Sequence, residues 1–191
     1  MPPKILAFAG SLRKDSYNKK LVKIAAEGAR ATGAEVTLID LKEFSLPVYD
    51  GDLEAAEGLP VNAKKLKQLF LQHQGLLIAS PEYNSSIPGG LKNMIDWVSR
   101  VETKDEAPLA CFDKKIAAIL SASPGGLGGL RGLVPLRMLL ENIRVMVLPN
   151  QIAVSKAHEA FDATGALKDT KQDASVRALG AELSKILFKI S

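Results

Sequence analysis

A single cysteine, Cys111, excludes an intrachain disulfide framework and any paired-cysteine redox centre. The only histidines, His73 and His158, stand far apart, so no cluster has metal-ligand spacing. Aromatic residues make up 5% of the chain, which predicts an aliphatic core. No apolar run approaches the roughly 18 residues of a membrane-spanning helix. The apolar run at residues 5–9 is too short for a signal-peptide core and lacks a small-residue cleavage site, so the reading is a cytoplasmic protein. Acidic residues are in slight deficit, giving a net charge of +4 and a pI near 9.1. The lysines are scattered as pairs and short groups at 19–20, 64–65, 114–115 and 168–171. No aromatic platform sits among them and no nucleic-acid motif accompanies them. They read as solvated helix faces with some attraction for anionic ligands, not as a nucleic-acid surface.

What is present is ordinary globular usage. The 191 residues are 47% hydrophobic and 24% charged, enough for one domain spanning 1–191 with a sizeable core. Short apolar runs alternate with helical periodicity along the whole length. Strands are expected at residues 5–9, 35–41, 75–80, 115–121 and from 144 to 148. Helices are expected at 18–31, 61–73, 91–101, 133–142 and 173–190, with 44–60 as a long surface loop. Strict alternation implies a parallel sheet with helices on both faces. Five strands fit the doubly wound order 2-1-3-4-5, whose ligand crevice lies at the carboxyl ends of the first and third strands.

Polar loops fall at those ends. Residues 10–18, GSLRKDSYN, follow strand one and offer Ser11, Arg13, Ser16 and Asn18 beside the N–H groups of a starting helix. That set suits a terminal phosphate. A helix cap by Ser16 or Asn18 accounts for part of it, but a cap has no use for Ser11 and Arg13. The spacing is not G-x-G-x-x-G, which argues against a dinucleotide-binding turn of that type. After strand three, residues 80–90 read SPEYNSSIPGG, a loop stiffened by Pro81 and Pro88 whose amides can meet the edge of a planar heterocycle. After strand four, Ser121 and Ser123 precede a turn carrying Gly125, Gly126, Gly128 and Gly129, which permits close backbone approach.

Together GSLRKDSYN, SPEYNSSIPGGLKNMIDWVSR and SASPGGLGG resemble the NADPH-dependent FMN reductase family, and most closely its chromate/quinone reductase branch. LPVYDGDLEAAEGLP, residues 46–60, is similar to that branch's loop after strand two. The likeness runs in order from about residue 4 to residue 150. It implies a flavodoxin-like fold in which Ser11, Arg13, Ser16 and Asn18 hold the phosphate of FMN, with Tyr17 contributing its backbone. It further implies that Pro81, Glu82, Tyr83 and Asn84 line the isoalloxazine. Ser121, Ser123 and Gly125 would close the far side and border the nicotinamide. The stretch Pro135-Leu136-Arg137-Met138 departs from the His-Leu-Arg-Gln that this branch often carries.

The reaction so implied is ping-pong. NADPH or NADH passes a hydride to the flavin N5, and the reduced flavin then reduces a quinone, free flavin, azo compound or metal oxyanion such as chromate. The cofactor carries the chemistry, which agrees with the lack of a catalytic triad or metal cluster in the sequence. A homodimer or homotetramer is the implied assembly. A flavodoxin-type electron carrier is the alternative, although such carriers tend to be acidic with aromatics flanking the flavin. Arg100, Arg131 and Arg137 are candidates to meet the 2′-phosphate of NADPH. His73 reads as a polar helix end, Cys111 as structural, and Trp97 as core or interface.

Overall fold

A computed structural model describes residues 1–190. The elements run β1 (Lys4–Ala9), α1 (Tyr17–Ala31), β2 (Glu35–Ile39), a 3-10 turn (Leu41–Glu43), α2 (Gly51–Glu57), α3 (Val61–Gln72), β3 (Gly75–Ala79), α4 (Gly89–Val98), β4 (Ile116–Ala122), α5 (Leu130–Asn142), β5 (Met146–Val154), α6 (Ala157–Ala160) and α7 (Thr170–Ile190). All strand pairings are parallel and the order is β2-β1-β3-β4-β5, as the alternation predicts.

The two-residue period of the strands sorts the core into two layers. Ile5, Ala7, Leu77, Ala118 and Leu120 face α1 and α7, whereas Leu6, Phe8, Leu76, Ile78, Ala117 and Ile119 face α3, α4 and α5. Central strands β1, β3 and β4 are buried on both faces, hence their unbroken apolar runs. Two glycines set the closeness of α1 and α7. A Cβ on Gly28 would lie 2.0 Å from the Arg177 carbonyl oxygen, and one on Gly180 would come closer still to the Ala25 carbonyl oxygen.

Several expectations are corrected. Residues 44–60 are not a bare loop: Asp50 caps α2 by accepting from the Asp52 N–H at 2.8 Å. The Pro47 carbonyl takes bonds from Asn93 Nδ2 at 2.8 Å and Trp97 Nε1 at 2.9 Å, which ties the segment to α4. Trp97 is therefore core. Helix α5 begins at Leu130 because Gly132 serves close packing against Glu82 rather than a turn. Strand β5 continues to Val154 past a register shift that steps over Pro149. His73 caps the end of α3 but is buried, with Nδ1 2.6 Å from the Leu69 carbonyl and Nε2 2.8 Å from Thr37 Oγ1.

Candidate active site

Because the sheet is parallel, the segments after β1, β3 and β4 emerge along one edge, and side chains bind them to each other. Asn18 is the first tie. Its Nδ2 donates to the Ala122 carbonyl and its Oδ1 accepts from the Ala122 N–H, both at 2.9 Å, with 2% of the residue exposed. The side chain assigned to phosphate from the sequence is thus committed to the end of β4. One Nδ2 hydrogen remains for any other acceptor. Glu82 is the second tie: its carboxylate accepts from Arg131 of α5 at 2.7 Å. A Cβ on Gly129 would meet Ser121 Oγ at 2.0 Å and Glu82 Cβ at 3.7 Å, so glycine is what lets these loops touch. Gly129 also holds φ +87°, where a side chain is strained.

The loop after β1 keeps its donors. Ser16 has extended backbone and caps α1, its Oγ accepting from the Asn18 N–H at 3.2 Å. Ser11 is buried and accepts from the Arg13 N–H at 3.3 Å. Among the described residues, the N–H groups of Lys14, Asp15 and Tyr17 have no hydrogen-bond partner, and neither has the exposed Arg13 guanidinium. Unpaired N–H groups opening a helix, with an exposed cation beside them, are suited to an anion. Tyr17 offers only its backbone there, for its ring stacks on Phe161 at 5.9 Å.

After β3, the Tyr83 and Ser86 backbones exchange bonds at 3.0 and 3.1 Å around Asn84 and Ser85, whose φ values are 52° and 62°. Positive φ at both central residues makes this a type I′ turn, the tight hairpin form. Asn84 is therefore a corner residue, exposed at the tip, while Tyr83 lies 45% exposed on a crevice of about 280 Å³ with Gly10, Leu12, Arg13, Pro88 and Gly90. Pro81 is buried, and the Ser80 N–H extends the sheet by donating to the Leu120 carbonyl at 2.9 Å. The crevice brings Arg13 and Tyr83 together. Ser123 and Gly125 do not line it; Ser123 Oγ instead accepts from the Gly125 N–H at 3.3 Å. Ser121 Oγ, wholly buried at the end of β4, has no partner.

A planar ligand with an anionic tail fits this arrangement: donors without acceptors at the loop after β1, a crevice walled by Tyr83, and an orphaned hydroxyl at Ser121. The family model of NADPH-dependent FMN reductases matches residues 3–159. The chain belongs to that family. An NAD(P)H-dependent FMN reductase of Pseudomonas aeruginosa is 38% identical over 88% of this chain and 86% of its own length. An NAD(P)H:quinone oxidoreductase of Solanum tuberosum is 33% identical over 98% of this chain and 94% of its own. Among solved structures, a flavoenzyme NAD(P)H:(acceptor) oxidoreductase, FerB, from Paracoccus denitrificans superposes with a TM-score of 0.81 at 28% identity, covering 98% of both chains. As in this reductase family, FMN is the flavin and NAD(P)H the reductant.

The sequence missed Gly10, Leu12, Pro88 and Gly90 as crevice walls. Gly10 was legible, being the residue at which β1 runs out. All three arginines considered for a 2′-phosphate are engaged elsewhere: Arg100 with Glu54 at 3.0 Å, Arg131 with Glu82, and Arg137 with the Leu148 carbonyl at 2.8 Å.

Proposed function

We propose that this chain is an FMN-dependent NAD(P)H oxidoreductase, one domain over 1–191, that reduces small acceptors by a ping-pong cycle. Quinones lead the acceptors; free flavin, azo compounds and metal oxyanions such as chromate follow. Ser11, Arg13, Ser16 and the Tyr17 N–H hold the flavin phosphate, and Asn18 fixes that loop to β4. The backbones of Pro81, Glu82, Tyr83 and Asn84 line the isoalloxazine, with the Glu82 carboxylate turned to Arg131 so that its main chain stays in place. Ser121, Ser123 and Gly125 close the far side, where the Ser121 hydroxyl is the free donor. Bound FMN supplies two-electron chemistry between nicotinamide and acceptor, and the protein supplies position.

The observation that carries the reading is the unpaired donor set of residues 13–17, tied through Asn18 to the strand end where Ser121 waits without a partner. The test is an absorbance spectrum with FMN, then anaerobic NADPH, then a quinone. Bands that bleach and return support the reductase; a flavin that binds but is not bleached supports an electron carrier. Replacing Arg13 by Ala removes a charge-assisted bond of about 1.5–3 kcal/mol and weakens FMN about 10–100-fold. Because the guanidinium has no protein partner, the melting temperature of the apoprotein stays put. An unchanged FMN affinity removes Arg13 from the site.

Assembly as a cytoplasmic homodimer or homotetramer is part of the proposal. Leu130, Val134 and Met138 are 42–64% exposed and recur every four residues along α5, with Leu127 exposed in the turn before it, an apolar stripe suited to a second copy. Sedimentation at monomer mass would refute it. No helix among the described residues is long and apolar enough to cross a membrane.

A further inference from the structure

A hollow of about 670 Å³ opens beside the loop after β1, on the flank away from the crevice of about 280 Å³. Ala9 and Ser16 line it, so it adjoins the phosphate loop itself, and Leu38 and Asp40 line it from the end of β2. It therefore lies at the carboxyl ends of β1 and β2, on the edge of the sheet that takes ligands. Its size falls within the range of small-molecule sites.

The lining mixes charges, with Asp15, Glu27 and Glu43 among its lysines, and three parts of it bear on a ligand. Lys14 and Lys23 edge it and pair with no carboxylate among the described residues, while Lys19, one turn before Lys23, is spent on Asp40 at 2.6 Å. Asp40 accepts from Lys19 Nζ and from the Lys42 N–H, and two carboxylate oxygens offer roughly four acceptor positions, so a hydroxyl can still bond there. Leu38 is 37% exposed on the α1 side of the edge strand β2, an apolar floor beside charged neighbours from α1. Cation, hydroxyl acceptor and apolar floor in that order, starting from a phosphate loop, match a phosphoester, a ribose and a base.

We infer that this hollow takes the adenosine monophosphate half of FAD, so that the chain accepts FAD as well as FMN; the inference rests on the flavin reading above. The first phosphate occupies the same loop as in FMN. The second passes Ser16 toward Lys14 and Lys23, the ribose hydroxyls reach Asp40, and the adenine covers Leu38.

Titration of the flavin-free protein with FMN and with FAD, read by flavin fluorescence, tests this. FAD is expected to bind within about threefold of FMN, or more tightly. Lys23→Glu is expected to weaken FAD about tenfold and FMN less than twofold, and Leu38→Asp, an exposed edge-strand position, to do the same. AMP should displace FAD but not FMN. Tight FMN with FAD more than about thirtyfold weaker overturns the inference alone, as does an equal loss of both flavins in either variant. If Lys23→Glu raises the KM for NADPH and leaves FAD unmoved, the hollow belongs to the reductant and the inference falls. Failure of both flavins to bind overturns the flavin reading, and this inference with it.

Discussion

Replacing Gly180 by alanine sets helix propensity against packing. Propensity alone predicts stabilisation by about 1 kcal/mol, since Gly180 lies within the 21-residue α7. The structure predicts the opposite. The added Cβ would sit 1.9 Å from the Ala25 carbonyl oxygen and 3.2 Å from the Ala29 nitrogen, and backbone atoms cannot rotate aside. Reaching an ordinary contact near 3.4 Å means moving α7 by roughly 1.5 Å. A gap of that size opens the buried layer formed by Val176, Leu179 and Leu183 against Leu21, Ala25 and Ala29. Allowing for the propensity gain, the net loss is on the order of 2–4 kcal/mol, or a fall in Tm of roughly 5–12 °C. Calorimetry measures it, with Gly51→Ala as the control: that Cβ meets nothing nearer than Tyr49 Oη at 4.0 Å, so Tm stays within about 2 °C. A neutral or stabilised Gly180→Ala protein would refute the reasoning, for it would mean that α7 can shift without loss.

Further outcomes are expected elsewhere. Asn18→Ala leaves the Ala122 N–H and carbonyl unpaired in a buried place, costing on the order of 2–4 kcal/mol in urea denaturation; an unchanged midpoint would mean that water replaces the amide. Ser85→Gly relieves a φ of 62° and creates the Asn-Gly pair favoured in type I′ turns, raising stability by about 0.5–1 kcal/mol; a lower Tm would contradict the turn assignment. Burial holds the His73 imidazole below its ordinary 6.5, with the Leu69 bond opposing and the Lys115 charge adding to the effect. The unfolded chain then binds more protons below that value, so stability is full above pH 6.5 and falls as pH drops through the folded pKa. His73→Gln should flatten the Tm profile between pH 7 and pH 5, and an unaltered slope would place the acid sensitivity elsewhere.

Much of this fold could be read because its signals are local. Doubly buried strands such as residues 75–79 need only a short aliphatic run, and the glycine that follows β1 marks a strand end wherever it occurs. The three loops were found for the same reason. What escaped depends on partners far along the chain. Asn18 reads as a phosphate ligand or a cap until Ala122, 104 residues away, is seen to take both ends of its amide. Arg131 could not be assigned until Glu82 came beside it. Helix α2 was hidden because glycines flank it and only the Asp50 cap announces it. The second half of β5 was hidden because Pro149 breaks the pattern that identifies a strand.

That proline has a bearing on how copies of this chain can meet. An open sheet edge is a template on which another chain can lay a strand. Here β5 is an outer strand whose register shifts against β4, and Pro149 has no N–H to give a newcomer. The Arg137 guanidinium also occupies the Val147 and Leu148 carbonyls, with bonds of 3.2 and 2.8 Å. The opposite border, β2, is five residues long and opens on a charged Glu35. Both borders of the sheet are thus poor starting points for fibre-like growth. Association is left to the helical faces, where contacts can close on themselves and stop.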